Sequence, residues 1–360
     1  MSQERTRDSE ILKAPNGAGP CWPDTSTKSK NELIRAASKQ ESSGAPSPPR
    51  TKPQPRPVRS WRCIGQSTTD RASRCTSRSP TQKGRVGLLG DVRSALVAGE
   101  FFLEYQPQLH AQSSRVESVE ALLRWNHPVH GLVNPADSVA LAEHTDLIAP
   151  ITDFVVSQSI RDVASIGHEV TAAVNVSARD LQDRHFASRT LGILRAANFP
   201  TKRLEIEITE SALAIDPELT SVALDEFRCA GVRVSIDDFG TRYSSFSTLR
   251  RLSVDAIKID RSFVTDAADN DDNAQIVSAL ISLAHGLCLT VVGEGIETEE
   301  VRQLLERSGC DILQGYLIGR PQPIDALAEL ISSINAEQTR NVASIAPISA
   351  VPNSLSGAIA

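Results

Sequence analysis

Eight short segments rich in β-branched or other apolar residues recur through the later part of this chain. They constrain its fold more than any other feature. They are Phe101–Gln106, Ser118–Leu123, Thr171–Val176, Leu204–Ile208, Val232–Ile236, Ala256–Ile259, Thr290–Gly293 and Ile312–Tyr316. Helical periodicity fills most of the gaps, as in Ile151–Ile166, Pro217–Ala230, Asn273–Ala284 and Thr298–Arg307, and Asp91–Ala98 reads as a helix before the first segment. Strands that alternate with helices pair in parallel, because the crossover helix returns the chain to the same edge. Eight such units over about 235 residues suit a TIM-like (β/α)8 barrel, with a doubly wound open sheet as the runner-up. In a barrel the chemistry gathers at the C-terminal strand ends.

Charge separates this region from the rest. Residues 1–85 carry 17 Lys+Arg against 7 Asp+Glu and hold 10 of the 20 prolines; the other residues carry 21 basic and 37 acidic side chains. The overall net charge of −6 therefore describes neither piece. Residues 1–83 read as a disordered basic tail rich in Pro, Ser and Arg, since such a segment cannot offset its ordering entropy by burial. Residues 337–360 read as a second disordered tail, which leaves 84–336 as the barrel. The basic tail lacks aromatic–basic interleaving, so no nucleic-acid polymer is expected as a partner. No apolar run is long enough to span a bilayer. The charged start, Met1 to Glu10, has no apolar core of a secretory signal, so a cytoplasmic location is expected. The six cysteines, at 21, 63, 75, 229, 288 and 310, form no CxxC pair and read as reduced thiols.

The strand ends are unusually polar. In Leu204–Thr209 alternation puts Ile206 and Ile208 on one face and Glu205 and Glu207 on the other, which in a barrel is the interior. Buried carboxylates need a partner or a metal ion. Asp237 and Asp238 end the fifth segment before Gly240; a bend there can turn both toward one ion, since paired carboxylates suit Mg²⁺ or Mn²⁺, the other reading being an Asp cap on a loop. Lys258 sits between Ile257 and Ile259 and calls for a carboxylate or phosphate partner. Glu294 lies between Gly293 and Gly295, where a ligand can approach the backbone. Glu120 and Arg124 stand four residues apart near the second strand end, and Asn175 ends the third. Five carboxylates, one amide and one lysine fit a site for two oxygen-liganded ions, an arrangement suited to in-line displacement at phosphorus. No HxxxH or HExxH pair exists, which argues against a His-based zinc site.

In their order these motifs resemble the EAL-domain family of cyclic-di-GMP-specific phosphodiesterases. The resemblance runs from about Gly87 to Ile331 and rests on many segments: Tyr105-Gln106-Pro107, Glu120-Ala121-Leu122, Leu123-Arg124-Trp125-Asn126-His127-Pro128, Asn175-Val176-Ser177, Glu207-Ile208-Thr209-Glu210, Asp237-Asp238-Phe239-Gly240, Lys258-Ile259-Asp260, Glu294-Gly295-Ile296-Glu297-Thr298 and Gln314-Gly315-Tyr316. It implies a barrel whose first strand is often antiparallel, and hydrolysis of cyclic-di-GMP to linear pGpG with two Mg²⁺ or Mn²⁺ ions. By motif position it implies Glu120, Asn175, Glu207 and Asp237 on the first ion. It puts Asp237, Asp238 and Glu294 on the second, with Asp237 shared. Lys258 matches the water-positioning lysine and Glu294 a candidate base. Gln106 and Arg124 resemble substrate contacts, and Glu297 and Gln314 resemble residues that either support the metal ligands from behind or stand on the substrate side. Glu210 matches the brace of the loop after Asp238, a loop the family links to homodimerisation.

The chain departs from the family pattern in places. Arg242 stands where Gly is usual and Phe246 where Leu is usual. Gly293 replaces Ala, and Asp137-Ser138-Val139 replaces an aromatic-Ile-Pro stretch. A non-Gly residue at a left-handed position costs on the order of 1 kcal/mol, so the loop after Asp238 is where activity is most exposed to change. None of the departures removes an expected metal ligand or the lysine. The alternative reading is a catalytically weak member acting as a cyclic-di-GMP receptor or a protein-interaction scaffold.

Overall fold

A computed structural model describes residues 82–344, except 134–138, 140, 141, 144, 168, 242–248, 250 and 251. The expected tail 1–83 lies almost wholly outside the described residues, as do Asp137, Ser138, Arg242 and Phe246.

Among the described residues, nine strands form one sheet that closes on itself. β1 (Phe101–His110) and β2 (Arg115–His127) form a hairpin, and β3 (Gly131–Val133) adds outside the ring against the end of β2. β4 (Thr171–Val176), β5 (Leu204–Thr209), β6 (Arg233–Phe239), β7 (Ala256–Ile259), β8 (Thr290–Gly293) and β9 (Ile312–Gln314) follow in parallel from β2. β1 closes the barrel antiparallel to both β2 and β9. Its reversed direction puts the start of β1 beside the end of β2, with Phe102 opposite Arg124 and Gln106 opposite Glu120.

All eight segments expected from the sequence are barrel strands. β3 was not expected: three residues around Leu132 carry too short a pattern to read. α1 (Gln82–Ala98) enters the barrel, and α2 (Ile148–Ser165) connects the β2–β3 region to β4. α3 (Ala178–Leu181) and α4 (Phe186–Ala196) follow β4, and α5 (Pro217–Ala230) follows β5. α6 (Arg261–Val264) and α7 (Asp271–Gly286) follow β7, α8 (Glu299–Ser308) follows β8, and α9 (Ile324–Ser344) follows β9. α9 continues past residue 336, where composition suggested that a tail begins; its backbone is helical to Ser344.

Local signals set the helix bounds. Asp216 accepts a hydrogen bond from Leu219 N at the start of α5, Pro217 occupies the first turn, and Gly231 ends it at φ +82°. Thr298 and Gly309 do the same for α8. Inside the helix layer, Leu181, Phe186, Leu194, Leu224 and Phe227 are fully buried. Each such side chain contributes about 2–3 kcal/mol by leaving water. The alternation along β5 holds: Ile206 and Ile208 are buried on the helix side, while Glu205 and Glu207 are buried in the interior.

Candidate active site

Lys258 organises the barrel mouth. Its side chain is 1% exposed, and its Nζ lies 2.7 Å from Glu294 Oε1, 2.8 Å from Glu207 Oε2, 3.3 Å from Glu120 Oε2 and 3.5 Å from Asp237 Oδ1. β7 forces this placement, because Ile257 and Ile259 take the helix side and leave the lysine pointing inward. One ammonium faces four carboxyl groups, more than it can balance if all are ionised. Burial alone would lower the Lys258 pKa; Asp237, Glu120, Glu207 and Glu294 outweigh it and hold the ammonium well above its usual range. Burial pushes the Glu207 carboxyl well above the carboxylate range; Glu120 and Asp237 add to the rise, and Lys258 opposes it. Glu294 is pushed up to about 8, first by burial, then by Asp237 and Glu120 against the pull of Lys258. Glu120 differs. Burial works against its charge too, but Lys258, Gln314 and Asn175 hold it below the usual value.

Hydrogen bonds fix the neighbours. Asn175 Nδ2 donates to Glu120 Oε1 at 2.6 Å, and Gln314 Nε2 donates to Glu120 Oε2 at 2.5 Å and to Gln106 Oε1 at 3.2 Å. Gln106 Nε2 donates to Gly319 O. Gln314 leads into Gly315, whose position only glycine tolerates: a Cβ there would stand 2.1 Å from Ile296 O and 2.2 Å from Ile296 N.

The double Asp lies within β6, not beyond its end. The β6–β7 register shifts between Ile236 and Phe239, and Asp238 takes φ +55°. This bulge turns adjacent side chains, which a regular strand would oppose, to the same place. One carboxylate oxygen each from Asp237, Asp238 and Glu294 lies within 4.8 Å of the others. Burial, then Asp237 and Asp260, raise the Asp238 pKa to about 6. Three crowded hard-oxygen donors in an acidic cleft fit a divalent cation of the Mg²⁺ or Mn²⁺ type. Past the bulge, Glu210 Oε2 accepts from Gly240 N at 3.2 Å.

Residues 89–321 match the EAL domain family. The chain belongs to that family. It is 39% identical over 256 residues to MucR of Pseudomonas aeruginosa, a bifunctional diguanylate cyclase/cyclic di-GMP phosphodiesterase. That alignment covers 70% of this chain and 37% of MucR. It is also 39% identical over 245 residues to the cyclic di-GMP phosphodiesterase NbdA of the same organism, covering 67% of this chain and 31% of NbdA. The chain therefore spans well under half the length of these relatives. Among solved structures, the PaMucR phosphodiesterase in complex with c-di-GMP superposes with a TM-score of 0.64 at 40% identity, over 67% of this chain and 99% of that one. The FimX EAL domain from Pseudomonas aeruginosa bound to c-di-GMP gives 0.62 at 26% identity, over 65% and 96%.

Within this EAL domain the structure gathers Glu120, Asn175, Glu207, Asp237, Lys258, Glu294, Gln106 and Gln314 into one connected cluster, with Asp238 at its edge. Arg124 lies apart from the lysine. Its Nε donates to Glu104 Oε2 at 2.7 Å and its Nη1 to Leu123 O. Glu297 is exposed beside the Thr298 cap and outside the bonded cluster of described residues. Three participants were missed. Gln108 Nε2 donates to Gln314 Oε1 at 2.9 Å and reaches Glu207 Oε1 at 3.5 Å, while Ser118 Oγ donates to Gln108 Oε1. Asp260, noted beside Lys258 without a role, presses on Asp238. The signal for Gln108 was present in the polar alternation Gln106, Gln108, but its meaning depends on pairing between β1 and β9, which sets Gln108 opposite Gln314.

Proposed function

We propose that the barrel hydrolyses one phosphodiester of cyclic di-GMP, giving linear pGpG, with two Mg²⁺ or Mn²⁺ ions held at the mouth. The observation that carries this reading is Lys258, buried against Glu120, Glu207, Asp237 and Glu294 beside the Asp237–Asp238–Glu294 oxygen cluster. The named activities of the relatives MucR and NbdA support the substrate.

In this reading Glu120, Asn175, Glu207 and Asp237 hold one ion, and Asp237, Asp238 and Glu294 the other. When bound, the ions polarise the phosphodiester and acidify the attacking water. Lys258 directs its N–H donors toward that water and toward negative charge growing on the phosphoryl oxygens. Water adds to phosphorus, one P–O ester bond breaks, Glu294 takes up the water's proton, and the departing sugar oxygen takes a proton from solvent water. Gln106 and Gln314 border the sugar-phosphate ring. Arg124 turns from Glu104 to a phosphate, a bidentate match for its guanidinium, and Glu297 faces the substrate from the rim. Glu210, through Gly240, sets the angle at which the chain leaves Asp238 for the loop that would carry homodimer contacts. A cytoplasmic location follows from the proposed substrate, a second messenger; among the described residues no helix is long and apolar enough to cross a membrane.

The test is product analysis of cyclic di-GMP incubated with the full chain and Mg²⁺ or Mn²⁺, beside a chelated sample and Glu120→Ala. The reading expects pGpG from the metal-loaded parent alone. Binding of cyclic di-GMP without turnover would instead make this chain a receptor.

A further inference from the structure

A second concavity lies among the helices that follow β4 and β5, and no residue of the Lys258 cluster lines it. It is a groove of about 410 Å³ between α5 and the turn that joins α3 to α4. Its apolar lining is Leu181, Leu219, Val222 and Ala223. Its rim is acidic: Asp216, Glu218 and Glu226 stand against Arg184. Asp183, also at the edge, is neutralised by Arg189 at 2.5 Å. On α5, Glu218, Val222 and Glu226 recur every fourth residue, so they form one line along the helix, acid–apolar–acid. Eight residues of helix make that line about 12 Å long. Val222 is 63% exposed, and Ile215, just before the Asp216 cap, is 61% exposed. These are among the most exposed large apolar side chains of the described residues, and the proposed hydrolysis uses neither.

An apolar strip between carboxylates disfavours a free anion and a wholly polar ligand alike. It matches a segment that presents apolar side chains flanked by Lys or Arg, which would bury Val222 and pair Glu218 and Glu226. We propose that this groove is a docking site for such an amphipathic basic segment of another protein. The seat is independent of the hydrolytic reading.

The probe is a fluorescein-labelled 14-residue peptide (a length of about 21 Å if helical) with Leu at i, i+3, i+4 and i+7 and Lys at the flanking positions. It is titrated into the full chain by anisotropy, beside a scrambled peptide of the same composition. We expect micromolar binding that weakens with salt, and at least about tenfold weaker binding for Val222→Asp and for the double variant Glu218→Lys, Glu226→Lys. Both sets of side chains face solvent, so folding should survive; circular dichroism checks this. No binding up to about 1 mM, equal binding of the scrambled peptide, or binding indifferent to both variants would overturn the proposal. Self-association of the chain that Val222→Asp abolishes would also overturn it, by assigning the groove to a second copy.

Discussion

At the scale of single residues, the lysine decides most. Lys258, itself buried, neutralises part of a four-carboxylate cluster whose Asp237 and Glu294 reach the mouth. Replacing it leaves buried charge without compensation, which costs about 3–5 kcal/mol. Lys258→Met should therefore abolish hydrolysis and also lower the metal-free unfolding free energy by that amount, read by urea denaturation. An inactive variant of unchanged stability would mean that the ammonium is not the cluster's counter-charge. A second residue makes a separate prediction. Cys310 is buried beside Gly293, where an added Cβ would meet Leu305 Cδ1 at 2.7 Å and Cys310 Sγ at 3.3 Å. The glycine that replaces the family's usual alanine is thus matched to close packing by Leu305 and Cys310. Burial pushes the Cys310 thiol up to about 12, so it stays protonated and unreactive at neutral pH. Brief alkylation of the native protein, read by peptide mass spectrometry, should label the exposed Cys229 and Cys288 and spare Cys310 until the chain unfolds.

At the scale of elements, short pieces hold the site's edges. α3 has only four residues, yet it is fixed by a reciprocal box: Ser177 accepts from Asp180 N, and Asp180 Oδ2 accepts from Ser177 N, Ser177 Oγ and Thr152 Oγ1. Burial raises the Asp180 pKa despite these donors. The box begins two residues after Asn175, so it sets where β4 releases that amide. Asp180→Ala strands several donors at once and should cost about 2–3 kcal/mol in urea unfolding, with weaker Mn²⁺ binding by calorimetry. A stability loss with unchanged Mn²⁺ affinity would confine the box to folding. The same scale shows what could be read beforehand. Alternation and β-branched content exposed all eight barrel strands, and the helical periodicity of Pro217–Ala230 matched α5. Three-residue β3 and four-residue α3 and α6 are too short for periodicity to register. α4 was missed although Phe186, Leu191 and Leu194 mark its buried face. The β6 bulge was visible only as a need for both Asp side chains to converge; its place, and the continuation of the strand to Phe239, required β7 beside it.

At the scale of the whole molecule, the barrel converts distant sequence into one charge centre. Glu120 and Glu294 are 174 positions apart, yet both touch Lys258. The carboxylates were legible because acid in an apolar strand is anomalous; Gln108 was not, because a polar residue in β1 acquires its partners only when the ring closes antiparallel. The closed ring also explains why the site tolerates so much charge: the surrounding strands are pinned by an apolar helix layer, so the cluster can be held without relaxing. In the proposed reaction water, positioned by these groups, attacks phosphorus. Cyclic di-GMP should be hydrolysed by the full chain with Mn²⁺ in ¹⁸O-water, and the product fragmented by mass spectrometry. The account predicts one ¹⁸O in the terminal phosphate of pGpG. Label in a sugar hydroxyl, or an intact substrate with metal present, would contradict it.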